Sequence, residues 1–116
     1  MDQKYRIYCI DFDGTIVQDK WPEIGEIIQE TATLIRALKA RGDYWILYTM
    51  RSDEKLQEAI DFLEANDMIP DAVNDNLPLH IQEWGNNPRK IFADCYIDNH
   101  NLGGLDLEAI KAEASS

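Results

Sequence analysis

The sequence predicts a three-layer, Rossmann-like α/β domain. A central, mainly parallel sheet is flanked by helices, with no cap domain. Short, near-continuous apolar runs alternate with stretches whose apolar residues recur every three or four positions. Polar side chains close the three clearest runs, at Asp11, Thr49 and Asp98. In an open parallel sheet, ligands bind beyond the carboxyl ends of the strands, so these three would share one edge.

Residues 5–10 read as a buried strand, aromatic and β-branched, ending at Asp11 and broken by Asp13-Gly14. Residues 25–41 read as an amphipathic helix, with Ile24, Ile27, Ile28, Thr31, Leu34, Ile35 and Leu38 on one face. Lys39 and Arg41 suit its C-terminal dipole, and Gly42 ends it. Residues 44–49 form a second strand. Ser52 is placed to cap a second helix, with Asp53 and Glu54 in its first turn. Leu56, Ala59, Ile60 and Leu63 make its buried stripe, Asn66-Asp67 ends it, and Pro70 forbids its continuation. Ala72 and Val73 suggest a short third strand. Residues 74–88 fit either a short helix or a packed loop. Residues 91–97 read as a strand ending at Asp98, Gly103-Gly104 breaks it, and 105–114 reads as a final helix. With no repeat, low-complexity tract or long linker, residues 1–116 form one domain.

Charge narrows the function. Among 116 residues, 22 are acidic and 11 basic, giving a net charge of −11 and a pI near 4.4. A chain of this length buries roughly two thirds of its unfolded surface, so it folds without a disulfide or metal staple. Acidity of this degree argues against nucleic acid and anionic membranes as partners. No apolar stretch approaches the roughly 20 residues of a spanning helix. Residues 1–4 lack the basic start and apolar run of a secretory signal. Cys9 and Cys95 lie in apolar runs and read as buried thiols, so a cytoplasmic protein is expected.

Asp11-Phe12-Asp13-Gly14-Thr15 carries two carboxylates where a strand gives way to a loop. They can share a cation, or one can attack as nucleophile while the other moves a proton. Gly14 permits the sharp turn. Thr49, just before a helix, suits an anion, and exposed backbone N–H groups there add to it. Lys90 is a point charge suited to phosphate. Asp98 adds a third carboxylate, and a few such oxygens with water and substrate phosphate hold Mg²⁺.

In this order the pieces resemble the haloacid dehalogenase (HAD) superfamily of phosphatases and phosphotransferases, over residues 11 to 98. Asp11 to Thr15 match its first motif, Thr49 its second, Lys90 its third, and Tyr96-Ile97-Asp98-Asn99 its fourth. The resemblance implies that Asp11 attacks phosphorus and carries an aspartyl-phosphate. Asp13 would protonate the leaving group and then activate water. Thr49 and Lys90 would hold the phosphoryl group, with Gly14, Thr15, Met50 and Arg51 around it. Asp11, the Asp13 carbonyl and Asp98 would bind Mg²⁺. The presence of Asp13 favours a phosphatase over the dehalogenating branch.

Two departures stand out. Asn99 stands where many relatives have a second Asp, which lowers the charge of the site. Asp94 is no substitute, because it lies about four residues or 13 Å from Asp98 along a strand, and it reads as structural. The intervals between the motifs leave no room for a cap. An open site suits a large substrate, or a neighbouring subunit of a homo-oligomer serves as its lid. Trp21, in the loop where relatives carry a small flap, either lines the entrance or packs in its loop. Arg51 either clamps an anion bidentately or pairs with Asp53 or Glu54 at the surface. His100 follows the last motif and is either a substrate contact or an inert loop residue.

The expected activity is thus Mg²⁺-dependent hydrolysis of a phosphate monoester, the substrate being a small phosphorylated molecule. Two alternatives remain at this point. One is a catalytically weak or inactive HAD fold serving in binding or regulation. The other is a receiver-like phospho-acceptor, although a receiver's phosphorylated Asp closes a middle strand, and Thr49 stands at the second strand end here.

Overall fold

The computed structural model describes residues 4–116; residues 1–3, part of the N-terminal stretch read above, lie outside them. Its main sheet contains β1 (Ile7–Asp11), β4 (Tyr44–Tyr48), β5 (Ala72–Val73) and β6 (Cys95–Ile97), in the order β5-β4-β1-β6. Every pairing in it is parallel, with Ile7 opposite Tyr44, Cys9 opposite Tyr96 and Ile46 opposite Ala72. The helices are α1 (Gln29–Ala40), α2 (Asp53–Ala65), α3 (Pro78–Trp84) and α4 (Leu107–Ala114). An antiparallel ribbon of β2 (Val17–Lys20) and β3 (Glu23–Ile27) stands apart from the main sheet.

The strand order explains the layers. The steps β1 to β4 and β4 to β5 run the same way across the sheet, so right-handed crossovers place α1 and α2 on one face. The return from β5 to β6 runs the other way and carries α3 to the opposite face. Period-2 alternation feeds both cores. Tyr8, Ile10, Trp45 and Leu47 pack with residues of α1, α2 and α4, including Leu34, Leu63 and Ile110. Ile7, Cys9 and Ile46 pack on the other face with Leu77, which leads into α3, and Ala93. Direction therefore reverses between β1 and β6, and the loops leaving these strands diverge there.

Two segments differ from the sequence reading, and a third, open there between a short helix and a packed loop, contains the helix. Helix α1 begins at Gln29 and not near Gly25, because residues 23–27 join the ribbon. Gly25 sits so close to the facing strand that a Cβ would lie 2.1 Å from the Gln18 carbonyl oxygen. The apolar run 91–97 forms a strand only over Cys95–Ile97. The Tyr96 hydroxyl donates to the Ile91 carbonyl at 2.7 Å and accepts from Ala93 N at 3.1 Å, which folds 91–93 back over the ring. The open segment 74–88 contains α3, which starts with Pro78 in its first turn and ends at Gly85 in the left-handed region (φ 78°).

Both cysteines are free. Burial pushes the Cys9 thiol up to about 12, which makes it a poor nucleophile. Among the described residues, no helix is long and apolar enough to cross a membrane.

Candidate active site

Asp11 ends β1, and Asp98 follows β6 directly, so the two acids flank the point where the strand order reverses. Between them the chain turns at Gly14 (φ 86°), where a Cβ would lie 2.4 Å from the Asn99 amide. Only glycine fits both this conformation and this approach. The next residue, Thr15, is buried and ties the two loops together. Its hydroxyl donates to Asp11 Oδ2 at 3.2 Å and accepts from Asn99 N at 3.0 Å.

Burial, and then the nearby Asp98 carboxylate, push the Asp11 carboxyl from its ordinary 3.8 up to about 6. The Asn99 amide occupies the space between the acids. With its nitrogen facing these acceptors, it lies 3.0 Å from Asp11 Oδ2, 3.2 Å from Asp98 Oδ1 and 3.3 Å from the Asp13 carbonyl oxygen. Two carboxylates and one backbone carbonyl thus surround the Asn99 amide nitrogen, which a cation bound by them would have to displace. Hard oxygen donors in this number suit Mg²⁺, which completes its shell with water and substrate phosphate. Among the described residues, no group of three or more His, Cys, Asp or Glu side chains is gathered closely enough to hold a metal ion, so here a backbone carbonyl would have to supply the third oxygen.

Asp13 has a different partner. Arg51 Nε lies 2.7 Å from its Oδ2, and Nη2 lies 2.8 Å from its Oδ1, a two-pronged pair. The Arg51 side chain is 1% exposed and that of Asp13 19%. Nη2 also donates to the Glu23 carbonyl at 3.1 Å, which fastens the β2–β3 ribbon to the site. The guanidinium lies 5.0 Å from the centre of the Trp21 ring and 5.2 Å from that of Phe12. Arg51 therefore pairs with neither Asp53 nor Glu54. Trp21 lies at the entrance, and Asp13 is the partner that local sequence does not reveal.

Thr49 follows β4, and its hydroxyl accepts from Arg51 N at 3.1 Å. Asn74, just after β5, accepts from Thr49 N at 2.8 Å and donates to the Thr49 carbonyl at 3.0 Å. Sequence reading passed over Asn74, although the strand-end rule that found Thr49 applies equally to a polar residue after Val73. His100 Nδ1 stands 3.8 Å from Asp98 Oδ1, with its side chain exposed.

Asp11, Asp13, Thr49, Met50, Arg51 and Asp98 thus line one cleft of about 660 Å³, with Gly14 and Thr15 bracing its acidic side. Lys90 is not brought to it. Its side chain lines a separate cavity with Trp84, Phe92 and Tyr96, and its ammonium lies 6.0 Å from the Tyr96 ring centre. The buried side chain of Asn76 fixes this loop, donating to the carbonyls of Pro88 and Lys90 and accepting from Phe92 N. Asp94 is structural, as expected, and accepts from Ile7 N at 2.8 Å.

No family model and no curated protein matches the chain. A solved structure does, that of a conserved protein coded by a locus from Bacteroides thetaiotaomicron. The two share 33% identity over 96% of this chain and 90% of that one, with a TM-score of 0.82. At this identity over almost the full length of both, the protein belongs to the same family as that conserved Bacteroides protein.

Proposed function

We propose that the protein is a Mg²⁺-dependent phosphatase resembling the capless HAD enzymes, which hydrolyses a phosphate monoester through an aspartyl-phosphate on Asp11. One observation carries this reading. Asp11, Asp98 and the Asp13 carbonyl turn their oxygens toward the Asn99 amide at the sheet's switch, with a third carboxylate, that of Asp13, in the same cleft.

Asp11, Asp98 and the Asp13 carbonyl would hold the cation. When bound, it supplies positive charge that offsets the repulsion between an anionic nucleophile and an anionic phosphate. Asp11 then attacks phosphorus with a carboxylate oxygen, and the ester oxygen leaves. Asp13, which must first take up a proton from solvent, would donate it to that oxygen; it would later take a proton from the attacking water as the water oxygen bonds to phosphorus and the bond to Asp11 breaks. Thr49, its backbone held by Asn74, offers its hydroxyl to the phosphoryl oxygens. Arg51 orients Asp13. Because both Asp13 oxygens accept from Arg51, one of these hydrogen bonds must give way for proton transfer.

That same clamp favours a second reading, a phosphate-binding module without turnover. Phosphate release from an aryl phosphate and a panel of phosphorylated metabolites, with and without EDTA, separates the two. The phosphatase predicts release that is lost in EDTA and in Asp11→Asn. Mg²⁺-dependent binding of phosphate without release supports the module. Metal-dependent turnover retained in Asp11→Asn refutes the nucleophile assignment.

A further inference from the structure

We infer that the cleft contains a leaving-group subsite for a neutral, flat, apolar alcohol, built from Trp21, Tyr48 and Met50. The inference rests on the phosphatase reading and names the class of ester it acts on.

Three large apolar side chains are exposed at the mouth of the acidic cleft: Trp21 at 57%, Tyr48 at 50% and Met50 at 98%. Tyr48 and Met50 come from the end of one strand and Trp21 from a distant turn, and all three line this cleft. Tyr48 ends β4 directly opposite Asp11, Met50 follows Thr49, and Trp21 lies at the turn of the ribbon. None belongs to either buried core cluster. Trp21 is held in place. Its backbone N donates to Asp19 Oδ1 at 3.2 Å, and its ring has the buried Arg51 guanidinium 5.0 Å from its centre. A ring fixed beside a cation and still more than half exposed is a platform on which a planar group can stack.

Charge selects against other leaving groups. Arg51 is the only Lys or Arg lining the cleft among the described residues, and Asp13 engages it on both prongs. The remaining charged residues there are Asp11, Asp19 and Asp98, with His100 beside Asp98. A leaving group bearing a second phosphate or a carboxylate would meet acids and no unengaged cation. The volume of about 660 Å³ lies within the range of ligand sites and accommodates a phosphoryl group with a ring-sized substituent.

The test compares phenyl phosphate, 4-carboxyphenyl phosphate and acetyl phosphate at saturating Mg²⁺, with Asp11→Asn as the blank. In the parent, kcat/KM for phenyl phosphate should exceed that for the carboxylated ester at least tenfold. Trp21→Ala should lower the ratio of phenyl to acetyl phosphate kcat/KM at least tenfold, mainly through KM for the aryl ester, and Trp21→Phe should restore most of it. Equal rates on the two aryl esters overturn the subsite. So does a Trp21→Ala variant that slows phenyl and acetyl phosphate by the same factor, which marks a merely structural role. If the parent hydrolyses acetyl phosphate above the Asp11→Asn blank but shows no ring preference, the subsite alone fails. If it hydrolyses none of the three above the blank, the phosphatase reading fails and the subsite falls with it.

Discussion

Replacing Arg51 with Met removes a buried cation while keeping much of its apolar bulk. The guanidinium holds Asp13 through contacts of 2.7 and 2.8 Å and the Glu23 carbonyl at 3.1 Å. Truncating one partner of a buried pair costs about 3–5 kcal/mol, because it strands the other charge. Asp13 retains 19% exposure, so water recovers part of this, and the lower end, about 3 kcal/mol, is expected. For a chain of 116 residues this corresponds to roughly 10–15 °C in Tm. The double variant Arg51→Met/Asp13→Asn removes the stranded charge and should regain at least about 1 kcal/mol relative to Arg51→Met alone. Urea unfolding followed by circular dichroism measures both, with the m-value as the check on two-state behaviour. A loss below about 1 kcal/mol in Arg51→Met, or no recovery in the double variant, would refute the argument that this pair is the electrostatic anchor of the site.

The remaining predictions concern the acids and the turn. The Asp11 carboxyl rises from 3.8 unfolded to about 6 folded, so between these values the folded state binds more protons, and this residue's contribution to stability falls as pH rises. At about 1.4 kcal/mol per pH unit the loss approaches roughly 3 kcal/mol by pH 7. In EDTA, Asp11→Asn should therefore gain stability relative to the parent as pH climbs from 4 to 7, and a flat difference in paired urea titrations would count against it. Mg²⁺ should stabilise the parent by about 2.7 kcal/mol at a hundredfold excess over its Kd, and Asp98→Ala should abolish most of this shift in thermal melts. Gly14→Ala would force a Cβ to 2.4 Å from the Asn99 amide at φ 86°. It should cost about 2 kcal/mol or more by urea unfolding and weaken Mg²⁺ binding by calorimetry.

How far the sequence could be read depended on whether the deciding interaction was local. The strands β1 and β4 and the polar residues that close them were legible because an apolar run stopped by Asp-Gly or by Thr identifies itself. The segment 23–28 was not. Ile24, Ile27 and Ile28 fit a helical stripe as well as a short strand, and the choice is made by Gly25 pressed against the Gln18 carbonyl of the facing strand. Arg51 was noticed, but nearby Asp53 and Glu54 competed with Asp13, which lies 38 positions away. Lys90 stands at the expected distance before the last strand. The direction of its side chain depends on Asn76 holding its loop and on Tyr96 beneath it, which spacing alone does not encode.

The same residue type plays opposite parts at the two ends of the sheet, and backbone chemistry explains why. Where parallel strands begin, their N–H groups are open to capture by acceptors. Asp43 takes Arg6 N at 2.8 Å, Asp71 takes Trp45 N at 2.9 Å, and Asp94 takes Ile7 N at 2.8 Å. Where the strands end, carbonyl groups outnumber donors, and acids placed there meet further oxygens. Asp11, Asp98 and the Asp13 carbonyl crowd about one amide, and burial, followed by the Asp98 charge, pushes the Asp11 carboxyl up. Arg51 relieves Asp13 alone. An anionic phosphate entering this cleft would add to an unbalanced cluster of acids on a chain whose net charge is already −11. Binding it requires positive charge that the lining residues do not supply, and the convergent oxygens are placed where a divalent cation would supply it. Acidity that argues against nucleic acid as a partner is therefore compatible with phosphate as a substrate, provided that the metal arrives with it or before it.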